Sequence, residues 1–179
     1  MGYSQPRRIE EFAAREVGLA LLLLALALAQ SALLPRPGDF VFNPLLVLTI
    51  CQALLAGPAV AARWAFYGGL SLDLCANSVL GTHPLALLAA TLLPALVLAR
   101  LSRRNWLLPL LGVALGALAY YAVFASIMAL LVAPIDPRAY LLIVALPGLL
   151  IALIPALPLF LFMRWLEMRR RGEVPVDVY

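Results

Sequence analysis

Long runs of apolar residues without a single charge constrain this chain more than any other feature. Residues 17–29 and 85–99 contain no Asp, Glu, Lys or Arg. A helix needs about 20 mostly apolar residues to cross the roughly 30 Å hydrocarbon layer of a membrane. With their apolar flanks, these runs approach that length. The sequence therefore predicts an all-α integral membrane protein.

The composition excludes several functional classes. Of the 179 residues, 65% are hydrophobic and 12% are charged, whereas a soluble domain needs a more polar surface. At about 20 residues per span, the chain holds roughly five to six membrane helices. Little remains for a nucleotide-binding, protease or periplasmic binding domain. The net charge of +4 is explained better by membrane topology than by nucleic-acid binding.

Proline, glycine and charged residues divide the chain into six predicted spans. The spans are residues 17–34, 42–55, 60–77, 85–101, 106–132 and 138–168. Pro147, Pro155 and Pro158 lie in the last span and should kink or break it. We expect a cytoplasmic N-terminal segment (1–16), a six-helix transmembrane domain (17–168) and a cytoplasmic tail (169–179).

The placement of arginine predicts the orientation of the bundle. All thirteen basic residues are Arg, and basic residues concentrate in cytoplasmic loops. With six spans and a cytoplasmic N-terminus, eleven arginines fall on the cytoplasmic side: Arg7, Arg8, Arg15, Arg63, Arg100, Arg103, Arg104, Arg164, Arg169, Arg170 and Arg171. Only Arg36 and Arg138 fall outside. The sequence therefore predicts that both ends of the chain lie in the cytoplasm.

An alternative interpretation concerns the first apolar run. Basic residues before it and the sequence Ala27-Leu28-Ala29 within it resemble a signal peptide with an A-x-A cleavage site. The largely apolar run continues to Leu34, however, which favours a spanning helix.

Asp73 is the strongest candidate for a functional residue, because an ionisable side chain inside a membrane span is costly and usually has a role. One explanation is structural: the carboxylate accepts hydrogen bonds from nearby backbone or from Asn77 and Ser78. Proton relay or transport, and partner binding, are the alternatives. No second buried carboxylate or His is expected in the spans, which argues against a relay.

Neither an enzyme nor a metal site is expected. Ser78, His83 and Asp73 lie close in sequence, but a hydrolase needs a nucleophile, a base and an orienting group in mutual reach. The nucleophile motif G-x-S-x-G is absent, and His83 is predicted to be a loop residue near the outer headgroups. Cys51 and Cys75 lie in apolar segments and are expected to be packed thiols. No cofactor is implied.

Small residues and tyrosines mark the fifth span. Gly112 and Gly116 form the small-xxx-small pattern that lets helices approach closely. Packing within the bundle is the favoured explanation, and dimerisation is the alternative. Tyr120 and Tyr121 need hydrogen-bond partners for their hydroxyls; core hydrogen bonds are the simpler explanation and a ligand pocket the alternative.

An ordered series of residues in the second and third spans resembles a known family. The series is Pro44, Gly57, Phe66, Gly69, Leu70, Asp73, Leu80 and Gly81. It is similar to the pattern of the rod shape-determining MreD proteins: a Pro opens helix two, a Gly ends it, and G-F-x-x-G-L-x-x-D is followed by L-G. The chain departs from this pattern at Ala65, where a Gly is usual.

The resemblance implies a non-enzymatic scaffold in the bacterial cytoplasmic membrane that supports cell elongation and peptidoglycan synthesis. It implies MreC, through its single spanning helix, as the main partner. MreB, RodA and a class B penicillin-binding protein are further implied associates. The family is also similar to the six-helix S-components of energy-coupling-factor transporters. A substrate-binding subunit of a vitamin transporter is therefore the alternative function.

Two regions are predicted to meet partners. Residues 57–81 would either contact the MreC helix or shape the surface that does, through van der Waals packing and small residues. Arg100, Arg103 and Arg104 form a basic cytoplasmic face for anionic lipid or an acidic partner. An orientation signal alone is the simpler explanation of these arginines.

Overall fold

A computed structural model of the chain describes residues 6–33, 43–76, 79–101 and 106–171. Within these ranges the secondary structure is helical and contains no strand. The helices are α1 (Pro6–Leu33), α2 (Pro44–Ala56), α3 (Pro58–Ala76), α4 (Thr82–Val97), α5 (Leu107–Leu131), α6 (Pro137–Tyr140) and α7 (Leu146–Arg171). A π-helical turn, Leu141–Ala145, joins α6 to α7. The predicted all-α fold is thereby confirmed.

Among the described residues, three helical segments are long and apolar enough to cross a membrane: Glu10–Ala32 in α1, Leu107–Leu131, and Pro137–Arg169 across α6 and α7. The apolar helices α2 and α4 have 13 and 16 residues. At about 1.5 Å per residue they extend only roughly 20 and 24 Å. The structure thus supports a membrane-type helical fold, and crossing the membrane six times stays a prediction.

Helix α2 forms the centre of the bundle. Nine of its 13 residues are buried, and it packs against α3, α4, α5 and α7. Around it, α1 packs on α3, α3 on α4, α4 on α5, and α5 on α7. These five helices form an incomplete ring, because α1 and α7 barely contact each other. A gap between α1 and α7 therefore leads toward α2.

The predicted turn signals fix both ends of α2. The Asn43 side chain accepts a hydrogen bond from the Leu46 N–H at 3.1 Å, and Pro44 follows in the first turn. Gly57 ends the helix with φ of +92°, a backbone conformation that favours glycine. Pro58 then begins α3 at once. Pro44 opens α2 and Gly57 closes it, as predicted.

The prolines of the last predicted span do not break it. Helix α7 continues through Pro155 and Pro158. Before Pro147, the Leu146 N–H donates to the Leu141 carbonyl oxygen, five residues back. A proline removes one N–H and its ring crowds the carbonyl four residues earlier. The wider π turn gives that ring room and keeps the helix continuous.

Gly112 and Gly116 face the interior of the bundle. A Cβ on Gly116 would lie 2.5 Å from Ile50 Cδ1 and 2.6 Å from the Ala90 carbonyl oxygen. A Cβ on Gly112 would lie 2.6 Å from Leu54 Cδ1. The Ala90 carbonyl oxygen belongs to the α4 backbone, so α5 needs a glycine at position 116 to lie this close to α4. At Gly112 the neighbour is the flexible end of the Leu54 side chain, which would have to move for a larger residue. Both glycines therefore lie where α5 meets the neighbouring helices of the bundle.

Candidate functional site

The candidate site is the hairpin of α3 and α4, where Asp73 is 4% exposed. Its Oδ2 accepts a hydrogen bond from the Gly81 N–H at 2.6 Å, and its Oδ1 accepts one from the His83 N–H at 3.1 Å. The first N–H groups of a helix have no acceptor within the helix, and the positive end of the helix dipole favours a carboxylate. Asp73 of α3 therefore caps α4.

Gly69 brings α3 and α4 together one turn before Asp73 on the same face. A Cβ on Gly69 would overlap the Pro84 N and Cα atoms and lie 2.8 Å from the His83 carbonyl carbon. Only a residue without a side chain permits this contact between backbones. The close approach places the start of α4 within reach of the Asp73 carboxylate.

The conformation of the turn also depends on glycine. Gly81 has φ of +97° and precedes the first residue of α4, and few other residues adopt this conformation at low cost. The backbone hydrogen bonds that were predicted for Asp73 are present. Asn77 and Ser78, the other predicted donors, lie outside the described residues.

A chain of polar side chains continues from this turn into the bundle. The Nδ1 atom of His83 lies 2.7 Å from the Tyr120 hydroxyl oxygen. The Asn43 Nδ2 donates to the same oxygen at 3.4 Å. The His83 ring also lies against Phe124, with 5.2 Å between ring centroids. Because His83 is the second residue of α4 and packs in this cluster, the prediction that it is a loop residue is wrong.

The geometry does not assemble a Ser-His-Asp relay among the described residues. Asp73 accepts from the His83 backbone rather than orienting its imidazole ring. The hydroxyl of Ser71, also in α3, donates to the Tyr67 carbonyl oxygen at 2.8 Å. The described residues also hold no group of three His, Cys, Asp or Glu side chains placed to bind a metal. The hydrogen bonds of this cluster join four helices: α2, α3, α4 and α5.

The residues of the family-like series fall into two sets. Gly69 and Asp73 point inward and lock the hairpin, together with Gly81. Phe66 is 49% exposed and Leu80 is 72% exposed. Packing within the hairpin accounts for the residues of the inward set. It does not account for the exposed side chains of the outward set.

Phe66 belongs to a stripe on the outer face of α3. Phe66, Leu70 and Leu74 follow at four-residue intervals and share one helix face. Leu70 is half-buried and Leu74 is exposed. We call these three residues the α3 stripe. Ala65 beside it is fully buried, so the position that departs from the family pattern still has a small side chain in the core.

Sequence reasoning missed several contacts that join distant helices. Arg63 of α3 donates to Glu16 of α1 at 2.6 Å, and a Cβ on Gly148 of α7 would overlap the Tyr121 hydroxyl. Asn43 caps α2 and also reaches Tyr120. The one available signal was the residue type: a glycine or a charge within an apolar helix.

The predicted basic face is described only in part. Arg100 is exposed in the turn after α4, while Arg103 and Arg104 lie outside the described residues. Comparisons of the chain with protein-family models, with curated proteins and with solved structures found no match.

Proposed function

We propose that this protein is a non-enzymatic scaffold of the bacterial rod-shape machinery that docks the spanning helix of MreC. The observation that carries the proposal is the division of the family-like series. One set of residues locks the α3–α4 hairpin, and Phe66 and Leu70 of the other set lie on the outer face of the same helix. A scaffold needs both: a rigid hairpin and a surface that it holds in place.

The proposed threading crosses the cytoplasmic membrane six times, with both ends in the cytoplasm. The arginine distribution supports this orientation. Helix α2 is too short to span alone, but its neighbours cover it on most sides. Irregular backbone at membrane depth is tolerated where it is buried in protein. Helix α2, which lies within a ring of other helices, fits that condition.

The depth of the α3–α4 turn also supports membrane insertion. Tyr120 of α5 lies beside His83 at the start of α4, so residues 121–131 extend roughly 15 Å beyond this turn. Leu130 and Leu131 at the end of α5 are highly exposed, which suits lipid rather than water. The turn would then lie below the membrane surface, where the N–H groups capped by Asp73 need an internal acceptor.

The α3 stripe is the proposed docking surface. Helix α3 uses its other faces to pack against α1, α2 and α4. Helices associate in membranes through van der Waals packing rather than hydrophobic exclusion. The ring of Phe66 between two leucines offers a ridge for such packing. The MreC helix would lie along this ridge on the lipid-facing side.

A pair of matched variants tests the docking surface. Phe66→Ala should reduce the MreC recovered by co-purification from membranes, with an apparent affinity roughly tenfold lower, since truncating a central aromatic contact typically costs more than 1 kcal/mol. Phe162→Ala is the control, because Phe162 of α7 is 56% exposed and lies on another face. It should leave recovery unchanged.

The opposite result for the two variants would place the docking surface on another face of the bundle. Phe162 lines an apolar groove of about 390 Å³ between α2 and α7, with Pro44, Val47, Pro155, Pro158 and Leu159. If only Phe162→Ala lowers recovery, MreC docks in that groove. If neither variant lowers it, docking on either face is refuted.

Gly69→Leu tests the support of the surface rather than the surface itself. The new side chain would force α4 away from α3, because it would meet the Pro84 backbone. The protein should still insert, while co-purification with MreC weakens. Unchanged co-purification would show that docking of MreC does not depend on the packing of the hairpin.

The threading has its own test. Single cysteines added at the two termini of a chain lacking Cys51 and Cys75 should both react only with a membrane-permeant thiol reagent in intact cells. Reaction of one terminus with an impermeant reagent would overturn the proposed topology.

The further proposed partners are MreB, RodA and a class B penicillin-binding protein. Arg100 lies at the end of α4 that the threading places in the cytoplasm, where MreB or anionic lipid would meet it. Loss of MreB recruitment in Arg100→Ser, without loss of MreC, would support that contact. Unchanged recruitment leaves Arg100 as an orientation signal alone.

A vitamin-transporter subunit is the second proposed function, favoured by one observation. Asn43, His83 and Tyr120 form a buried polar chain in the half of the bundle that the threading places outward. A ligand bound there should raise thermal stability in detergent and lose this effect in Tyr120→Phe. Recovery of a transporter energising module instead of MreC would favour this function over the scaffold.

A further inference from the structure

A cavity of about 660 Å³ lies in the gap between α1 and α7. The first half of α1 and the last part of α7 form its walls. Gln52 of α2 and the first turns of α3 complete it. Its volume falls in the range of roughly 300–1,000 Å³ that holds small ligands in proteins. Because α1 and α7 barely touch, the cavity opens sideways toward the surroundings of the bundle.

Apart from Phe12, the cavity lining contributed by α1 and α7 is charged at one end and apolar farther into the bundle. Arg15 and Glu16 line it on α1, followed two to six residues later by Gly18, Leu19 and Leu22. On α7, Met163 and Leu166 precede Glu167. The charged groups therefore lie toward the end that the threading places at the cytoplasmic surface. An amphipathic molecule aligned with the membrane would match this order.

Glu16 has an oxygen that lacks a donor. Its Oε1 accepts from Arg63 Nη1 at 2.6 Å, while Oε2 is buried without a hydrogen-bond partner. The Tyr67 hydroxyl interacts with the same carboxylate, but neither it nor any other group meets hydrogen-bond geometry at Oε2. A buried acceptor without a donor is costly. A ligand that brings an N–H group to Oε2 would remove that cost.

Arg63 and Arg15 supply hydrogen-bond donors beside the Glu16 carboxylate. A guanidinium has five N–H donors, and the Arg63 side chain is 46% exposed, so it can bind an acceptor besides Glu16. Arg15 is exposed at the rim. An arginine suits the planar, multiple contacts that a phosphate accepts. The cavity thus pairs an acceptor for an ammonium group with donors for a phosphate.

We infer that this cavity binds the headgroup of an amine-bearing phospholipid such as phosphatidylethanolamine. The ammonium group donates to Glu16 Oε2, and the phosphate accepts from Arg63 and Arg15. The first part of one acyl chain lies between α1 and α7 against Leu22 and Met163. The inference rests on the membrane insertion proposed above, but not on docking of MreC.

Comparing two lipids isolates the proposed contact. Phosphatidylethanolamine and phosphatidylcholine both carry a phosphate and a positive charge, but the choline group has no N–H to donate. Protein extracted from the membrane fraction is titrated with each lipid, with identical acyl chains, and the bound lipid is measured by native mass spectrometry. We expect phosphatidylethanolamine to bind roughly five- to tenfold more tightly, as one hydrogen bond to a charged group implies.

Variants of α1 connect the preference to Glu16. Glu16→Gln should remove most of the preference for ethanolamine over choline, because the ammonium loses its charged acceptor. Glu11→Gln is the matched control, since Glu11 is exposed on the same helix and does not line the cavity. It should keep the preference. Arg15→Gln should weaken the binding of both lipids to the same extent, because both carry the phosphate that Arg15 contacts.

Several results would overturn the inference. Equal binding of the two lipids removes the role of the N–H donor, and stronger binding of phosphatidylglycerol indicates an anion site instead. If Glu11→Gln also loses the preference for phosphatidylethanolamine, the preference comes from the general surface charge of α1. Absence of retained lipid from the wild-type protein refutes the site. Each of these readouts is independent of co-purification with MreC.

Discussion

Replacing Asp73 should loosen the α3–α4 hairpin more than any single exposed change. Asp73→Ala leaves the Gly81 and His83 N–H groups without their acceptor. A hydrogen bond to a charged group contributes roughly 1.5–3 kcal/mol, so losing two costs about 3–6 kcal/mol. Removing a buried carboxylate relieves a desolvation cost of its own, which offsets part of this loss. We expect the free energy of unfolding to fall by about 3 kcal/mol.

A second capping aspartate provides the control. The Asp136 Oδ1 accepts from the Arg138 N–H at 3.0 Å and caps α6, but it is exposed. Losing an N-cap typically costs about 1 kcal/mol, and water can replace this one. Asp136→Ala should therefore lower the free energy of unfolding by about 1 kcal/mol or less.

Unfolding by sodium dodecyl sulfate in mixed micelles, followed by circular dichroism, measures both variants. Asp73→Asn adds a check, because its amide oxygen can still accept one of the two hydrogen bonds. We expect it to lose about half as much as Asp73→Ala. If Asp73→Ala unfolds with the wild-type free energy, the carboxylate does not brace the turn. A role in transport or partner binding would then be the better explanation of a buried charge.

Two further pairs of variants test the packing and the polar chain. Gly69→Ala should destabilise the protein by about 3 kcal/mol, because its Cβ meets the α4 backbone; Gly18→Ala, where nothing lies within 4 Å, should stabilise α1 by about 0.5–1 kcal/mol. Tyr120→Phe should cost about 1–1.5 kcal/mol by removing a hydroxyl that lies between His83 and Asn43, whereas Tyr140→Phe removes a buried hydroxyl without a partner and should be neutral or stabilising. Thermal unfolding in detergent measures all four, and equal losses within either pair would contradict the reasoning.

The order and position of the helices follow from local signals in the sequence. Asn43 and Pro44 start α2, Gly57 ends it, and Gly81 precedes α4, because each of these residue types satisfies a need of the adjacent backbone. Helix lengths were less predictable. The fourth predicted span began at residue 85, yet α4 begins three residues earlier, since the cap on its first N–H groups comes from Asp73 in another helix.

Contacts between distant residues account for what the sequence could not predict. The position of His83 depends on Tyr120, 37 residues away, and no local pattern encodes that pairing. The π turn before Pro147 was equally hidden, because a proline predicts a disturbed helix but not how the chain accommodates it. The roles of Gly112 and Gly116 were predictable because their spacing alone defines a smooth face; which helix fills that face was not.

The central position of α2 bears on how the protein is made. Much of the surface that covers α2 belongs to α4, α5 and α7, which leave the ribosome after it. While the chain is being synthesised, the short second helix therefore lacks most of its neighbours. The bundle can close around it only after α7 has been synthesised. A chain stopped before α7 should consequently present α2 to chaperones and membrane proteases, so that quality control would recognise incomplete copies by this uncovered helix.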